Sequence, residues 1–584
     1  MKDEIRSKKK WKILSESGIR NQKMGIRKLI KILLNNRGIK TKKETEGFLN
    51  PRLESVTVEN VGINKKELKK AIIRIKDAIK KNEQIVIFGD YDVDGICGTA
   101  ILWETLNKLG AKVIPYIPHR AEEGYGLSIT GISNIKNKIP VSPTGGQNIK
   151  LIITVDNGIV ANKAVEFANK NEIDVIITDH HVASKKLPDA LAIVHTTKLC
   201  GTGVAWLLSK NVILSEAKNP GDPSAMPQDD NMNESHLELV ALATVADLVP
   251  LQGANRTLLK SGLESLGKTK RVGLLELFKE GGLDKNSIGV YEIGHIIAPR
   301  LNAMGRLEYA MDSLRLLCTN NKKKAEELAM LLGNTNRERQ ELTMQTVLHA
   351  KDSISDNGLS SKKLLFVAHK NYEQGIIGLV AGKMVDEYYR PSIVVSIGEK
   401  ISKGSARSVS GFNIIEFIRE SSSYLVDAGG HPMAAGFTVE TTKLLELRKD
   451  LEERVQSLID GETLARSLNI DCELPLSLVN QDVYDALQRL APFGMKNPEP
   501  AFMAKDVEIE DLRLVGYNSN HLKLRLRDSS KTIDAIAFGM GEMSKEVHVG
   551  DKISVVYVID ENVWNGNKKL QLKIKDIRRF IYLT

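Results

Sequence analysis

Disulfide chemistry is the first thing this chain lacks. Its 584 residues hold four cysteines, Cys97, Cys200, Cys318 and Cys472, far apart and without a CxxC pair. That spacing excludes a disulfide-framed module and a zinc ribbon, and predicts reduced, mostly buried thiols. No uninterrupted apolar run reaches the length of about 18 residues that a spanning helix needs. The basic start MKDEIRSKKKWKIL has no apolar stretch behind it to make a secretory leader. A soluble, cytoplasmic protein is the expectation. Charge of one sign is scarcely in excess: 83 Lys and Arg stand against 73 Asp and Glu, a net +10. That balance favours a polyanionic partner without requiring one. The length is too great for a single core, and about three or four domains are expected.

What is present is a repeated design. In Gln84-Ile-Val-Ile-Phe-Gly-Asp-Tyr-Asp-Val-Asp-Gly95 an apolar run stops at Gly89, and Asp90, Asp92 and Asp94 follow at alternate positions. A continuous apolar run reads as a parallel strand buried on both faces. From Ile96 the apolar spacing is helical, so the acids sit on a strand-to-helix turn at a carboxyl sheet edge, where open α/β sheets build their sites. Two further runs repeat the plan: Leu151–Val155 ends in Asp156-Asn157-Gly158, and Asp174–Thr178 ends in Asp179-His180-His181. A helical stretch from His236 to Ala246 then delivers Asp247. Taken singly, an acidic turn or a His-His pair reads as well as solvated surface. Taken together, Asp92, Asp94, Asp156, His180 and Asp247 form a ligand set for a pair of divalent cations, with carboxylates bridging and imidazole completing the site.

Elsewhere the reading stays open between two roles. Arg120 suits bidentate contact with a phosphate, or an ion pair with Glu122 or Glu123. The stretch Pro299–Arg306 reads as a small-residue loop whose two arginines suit a phosphodiester or an interface salt bridge. Residues 334–347 read as a polar connector helix carrying Arg337 and Arg339. A second α/β unit begins at Lys363 and includes Lys403-Gly-Ser-Ala-Arg-Ser408 and Gly429-Gly-His-Pro432. Residues 500–580 turn to alternating strands around Leu522–Arg527, Ile533–Phe538, Ile553–Val558 and Leu570–Lys575, the pattern of a small barrel that binds single strands. Tyr517, Phe538 and Trp564 are candidate stacking partners there, although Phe538 reads first as a core aromatic. Segments 139–148 and 218–233 look inserted and are assigned no chemistry.

GDYDVDG, ITVDNG, TDHH and TVADLVPL together resemble the four motifs of the DHH phosphoesterase superfamily. PHRAEEGYGLS, APRLNAMGR, NRERQ, KGSARS, GGHPMAAG and APFGMKNPEP narrow the resemblance to the RecJ family of single-strand-specific 5′→3′ exonucleases, from about Trp11 nearly to the last residue. The resemblance implies an α/β multidomain fold: a basic helical segment (1–65), a parallel-sheet DHH domain (66–250), a helical region with the connector helix (251–350), a smaller α/β DHHA1 domain (351–460) and an OB-like β-barrel (461–584). It implies two Mn²⁺ or Mg²⁺ ions as cofactors. Asp90 would support them from behind or join one ion, and His181 would contact the scissile phosphate or protonate the leaving oxygen. Arg120, Asn302, Arg306, Ser405, Arg407, Gly429, Gly430 and His431 would bind the strand and its 5′ phosphate. A monomer acting on single-stranded DNA in repair and recombination, beside a single-strand-binding protein or a helicase, completes the expectation.

Some positions depart from the family pattern. Tyr372-Glu373-Gln374-Gly375 stands where Trp-His is usual, which replaces an imidazole by a carboxylate. Asn157 stands where cysteine or serine is common, and His195-Thr196-Thr197 replaces Asn-Pro-Lys. A phosphodiesterase acting on oligonucleotides or cyclic dinucleotides shares the catalytic logic but not the connector helix and barrel. A non-catalytic single-strand-binding scaffold would not need intact acids at every turn.

Overall fold

The computed structural model describes residues 9–15, 25–138, 149–217, 235–356, 358–564 and 567–579. Both inserted-looking segments, 139–148 and 218–233, lie outside the described residues. Among those described, no helix is long and apolar enough to cross a membrane, and all four cysteines are free, three of them buried.

The first α/β domain is a five-stranded sheet ordered Val113–Tyr116, Gln84–Gly89, Ile149–Val155, Asp174–Asp179, Ala192–His195. Every pairing is parallel. Ile85, Ile87, Leu151 and Ile153 face the core shared with helices Lys65–Lys80, Val93–Lys108, Gly201–Ala217 and Leu237–Ala246. Val86, Phe88, Ile152, Val175 and Ile177 face the other way, toward helices Ile129–Lys138 and Asn162–Lys170. Burial on both faces is why these strands show no alternation. Register pairs Gly89 with Val155 and Val155 with Thr178, so Asp90, Asp156 and Asp179 leave three adjacent strands at one level. The strand order also reverses between Gln84–Gly89 and Ile149–Val155, which places this edge at a topological switch point.

One expectation is corrected: residues 299–306 are not a loop. Ile293–Ile297 is a π-helical turn that runs into helix Ala298–Leu307. Pro299 falls just past the junction of the π-helical turn and the α-helix, where the backbone hydrogen-bond register changes. Gly305 is there because Tyr91 O stands 2.3 Å from where a Cβ would be. Helix Lys322–Asp356 then leads to the second domain. Glu280 pins it to the first domain by accepting from Arg300 and from Arg337 Nη1.

In the second α/β domain the sheet order is Leu425–His431, Ala434–Glu440, Ile401–Arg407, Ser392–Ser396, Leu365–His369. Only the last two strands are parallel. The C-terminal barrel has five strands, Phe502–Val515, His521–Arg527, Thr532–Ala537, Asn567–Arg578 and Lys552–Trp564, and closes where the last pairs back onto the first. Leu522, Leu524 and Leu526 point inward, leaving Lys523, Arg525 and Arg527 outside. Phe502–Val515 escapes sequence reading because its alternation slips twice, at Ala504/Val507 and Ile509/Asp511. Phe538 is corrected as well: it is 58% exposed and set edge-on to His521, while Tyr517 is fully exposed. The side chain of Trp564 lies outside the described residues.

The N-terminal segment packs on the barrel. Lys9–Ile13 pairs in parallel with Arg466–Ile470, Leu29, Leu33 and Phe48 join the barrel's core, and buried Arg37 meets Asp471 at 3.2 Å. Fully buried Arg256 links this unit to the first domain through Phe48 O and Ala491 O.

Candidate metal centre and strand cleft

Asp92 caps helix Val93–Lys108, its Oδ1 accepting from Asp94 N at 3.0 Å and Gly95 N at 3.1 Å. Gly95 is obligatory, since a Cβ would lie 2.5 Å from Asp90 N and O. Asp94 accepts from Gly201 N (2.6 Å) and Thr202 N (2.7 Å), the free N–H groups that open helix Gly201–Ala217 and favour a carboxylate. Asp156 sits at φ +63°, a left-handed conformation uncommon for a residue with a Cβ and concentrated at functional sites. Asn157 braces that turn: its Nδ2 donates to Phe88 O and Val155 O, and its Oδ1 accepts from Leu127 N. Asp179 accepts from Ile159 N through Oδ2, and through Oδ1 from His180 N, His181 N and His181 Nδ1 at 2.8 Å.

These turns bring the acids together. His180 Nε2 lies 3.1 Å from Asp156 Oδ1, 3.6 Å from Asp247 Oδ2 and 3.7 Å from Asp94 Oδ2. None of these approaches has hydrogen-bond geometry: Asp90 Oδ1, Asp156 Oδ1 and His180 Nε2 are buried with no partner. Donor atoms of Asp94, His180 and Asp247 lie within 4.8 Å of one another, as do those of Asp90, Asp92 and Asp156. Burial, then mutual repulsion, raises the carboxyls of Asp90, Asp92 and Asp156 above the usual range and pushes Asp247 up to about 9. Burial lowers His180, which leaves a neutral imidazole. Orphaned oxygens, a neutral imidazole and unrelieved negative charge fit a pair of hard divalent cations.

His181 differs. It too lies within reach of Asp156 and His180, but both its nitrogens are committed, Nδ1 to Asp179 and Nε2 to Tyr125 Oη at 3.1 Å. Burial alone would lower it, yet the Asp179 hydrogen bond lifts it to about 9. A proton-bearing ring is no metal ligand.

Facing the acids is a group of arginines. Arg120 lies 4.3 Å over the Tyr91 ring. Arg306 donates to Gly375 O at 3.1 Å, and burial followed by Arg120, Arg339 and Arg407 drives it down to about 9. Among the described residues none of these four forms a salt bridge, and Arg120 Nε and Arg339 Nε are buried without a partner. Ser405 Oγ and Arg407 Nη2 converge beside Gly378. Clustered unpaired guanidinium groups await a polyvalent anion. Arg300, by contrast, is spent on Glu280, which leaves Arg306 as the arginine of residues 299–306 with no carboxylate partner among the described residues. Asn302 Oδ1 accepts from Val93 N at 3.0 Å, a brace for the acidic turn. Gly429, Gly430 and His431 lie on strand Leu425–His431, and the His431 ring stacks on His181. Glu373 is exposed. From sequence alone Asp179, Tyr125 and Arg339 receive no role in the site, although TDHH, PHRAEEGYGLS and NRERQ contain them.

Three family models match the chain: the DHH family N-terminal domain over residues 84–244, the DHHA1 domain over 361–457 and the RecJ OB domain over 470–576. The single-stranded-DNA-specific exonuclease RecJ of Bacillus subtilis is 36% identical over 98% of this chain and 71% of its own length. The relative of that name from Thermus thermophilus is 30% identical over 88% of this chain and 71% of its own. The crystal structure of Thermus thermophilus RecJ in complex with Mn²⁺ matches with a TM-score of 0.80 and 27% identity, over 99% of this chain and 81% of that one. With this architecture and these relatives, the chain belongs to the RecJ family.

Proposed function

We propose that the protein hydrolyses single-stranded DNA from its 5′ end to mononucleotides. The observation that carries the reading is the meeting, in one cleft, of buried unpartnered donors on Asp90, Asp156 and His180 with unpaired arginines on the opposite wall. Asp92, Asp94, Asp156, His180 and Asp247, supported by Asp90, would hold two Mn²⁺ or Mg²⁺ ions, which lower the pKa of a water and offset charge on the scissile phosphate. Arg120, Arg306 and Arg407, with Ser405 and His431, hold the terminal phosphate and set the register of the next phosphodiester. His181, kept protonated by Asp179, hydrogen-bonds the scissile phosphate or hands a proton to the leaving oxygen. Asn302 holds the acidic turn in place. The barrel, with basic side chains outward and Tyr517 and Phe538 exposed, binds the strand beyond the cleft. Four free cysteines and this substrate suit a monomer working in the cytoplasm in DNA repair and recombination, beside a single-strand-binding protein or a helicase.

The test is Mn²⁺-dependent release of mononucleotides from 5′-phosphorylated single-stranded DNA, with duplex DNA and dinucleotides as controls. Asp94→Ala and Asp156→Ala should abolish release and leave strand binding largely intact. Cleavage retained by either variant overturns the metal assignment.

A further inference from the structure

Directly beyond Asp247 the surface carries apolar and aromatic side chains in the open. Leu248 is 65% exposed, Tyr291 63% and Met495 46%. The Tyr291 ring stacks on His295, centroids 4.3 Å apart and planes 18° from parallel, and His295 Nδ1 lies 3.1 Å from Tyr291 O. Exposed His295 is thus held flat beneath an exposed phenol. Three segments lock this patch together. Leu251 N donates to Met495 O at 2.8 Å, and Gln252 Nε2 to Lys496 O at 3.1 Å. Gly494 packs so tightly that a Cβ would lie 2.6 Å from Leu251 and 3.8 Å from Val290. A Cβ at Gly294 would touch Val245, two residues before Asp247. Leu248 and Lys496 both adopt left-handed backbone, at φ +55° and +59°, and Tyr291 leads into a π-helical turn. Both features gather where side chains are aimed for function.

The position of the patch supplies the rest. Helix Ala298–Leu307 begins beside it and carries Arg306 at its far end, roughly 16 Å from His295 at about 1.5 Å per residue. Between the two, Asn302 holds the acidic turn through Val93. Arginine pocket, carboxylates and stacked rings therefore follow one another along a single rod. We infer that Tyr291, stacked on His295, with exposed Leu248, Met495 and Lys496 on the segments packed against its helix, is a base-stacking shelf for the nucleotides on the 3′ side of the scissile bond. The inference rests on the proposed nuclease reading. A strand whose 5′ phosphate lies among the arginines and whose next phosphodiester lies at the acids continues toward this shelf. A flat aromatic face takes any base, which suits a sequence-independent nuclease, and exposed Lys496 stands at its rim for the backbone.

The test compares wild type, Tyr291→Ala and Tyr291→Phe on 5′-phosphorylated single-stranded DNA, with bis(p-nitrophenyl) phosphate as a substrate too short to reach the shelf. The expected result is a KM for DNA about 5- to 100-fold higher in Tyr291→Ala, recovery in Tyr291→Phe, and unchanged turnover of the small diester. In an Asp156→Asn background, 2-aminopurine placed at the second to fourth nucleotide should be quenched on binding, and Tyr291→Ala should remove that quenching. An unchanged KM with quenching intact overturns the shelf, and leaves a protein-docking role as the use of the patch. Loss of small-diester turnover in Tyr291→Ala overturns it too, because the residue would then act structurally. Failure of wild type to cut single strands strikes instead at the nuclease reading.

Discussion

The ring of His431 lies over the ring of His181, centroids 5.9 Å apart and planes 20° from parallel, although the two belong to different α/β domains. Behind His181 stands Asp179, and beneath it Tyr125, so one imidazole is oriented from three sides. The cleft is in this sense assembled by both domains, and the connector helix is held to the first through Arg337 and Glu280 and to the second through Ala350 and Ile354.

Asp179→Asn should loosen that orientation without removing a ligand. A fall of about 10- to 100-fold in kcat is expected, with Mn²⁺ affinity measured by calorimetry nearly unchanged. A large loss of metal affinity would instead make Asp179 part of the metal site.

Arg339, read from sequence only as part of the connector helix, is one of the three guanidinium groups beside Arg306. Replacing it with Ala should narrow the preference for 5′-phosphorylated over 5′-hydroxyl strands by about tenfold, in line with the loss of a charge-assisted hydrogen bond. The readout is the ratio of kcat/KM for the two substrates, and an unchanged ratio removes Arg339 from the phosphate pocket.

Gly305→Ala should separate helix Ala298–Leu307 from the acidic turn, because the new methyl would sit 2.3 Å from Tyr91 O. Overpacking of this kind costs about 1–3 kcal/mol. Thermal stability should drop and DNA cleavage should fall further than global stability explains. Full activity would show that the turn tolerates displacement.

Asp156→Asn removes one of several carboxylates buried against each other. Without metal the variant should melt at or above the wild-type temperature, because a repulsive charge is gone. With Mn²⁺ far above its Kd for wild type only wild type should gain markedly, since a ligand at free concentration c that binds the folded state stabilises it by RT ln(1 + c/Kd). Equal gains in calorimetric scans would exclude Asp156 as a ligand.

Away from the cleft, Glu104 accepts from His236 at 2.8 Å and from Arg271 Nη1 at 2.6 Å. Burial alone would raise its pKa, but these partners pull it down to about 2. A folded value below the unfolded one stabilises fully above about pH 4.5, and that stabilisation is lost as pH falls toward 2. Glu104→Gln should therefore cost about 3 kcal/mol at pH 7, and the difference from wild type should shrink below pH 4.5. Urea midpoints at pH 7, 4.5 and 3 measure this, and a pH-independent difference would refute it.

Sequence alone determined the chemistry of the acidic turns. A strand buried on both faces must be apolar throughout, so each run and the acids that end it stand out in the linear text. Parallel strands then leave their carboxyl ends at one edge, and Asp90, Asp92, Asp94, Asp156 and His180 become neighbours by construction, while Asp247 joins them through the docking of helix Leu237–Ala246. The connector helix and four barrel strands were legible for the same reason, a periodicity matched to burial. Tertiary structure decided whatever depends on a partner distant in the chain. Nothing local to Pro299–Arg306 marks it as a helix, because Gly305 is explained only by Tyr91 O, and nothing local assigns Arg300 to Glu280 and Arg306 to the cleft. The union of residues 9–13 with 466–470, the two slips in Phe502–Val515 and the stacking of Tyr291 on His295 beside Asp247 likewise follow from packing. Periodicity reports which face of an element is buried; what it is buried against is set by register and docking.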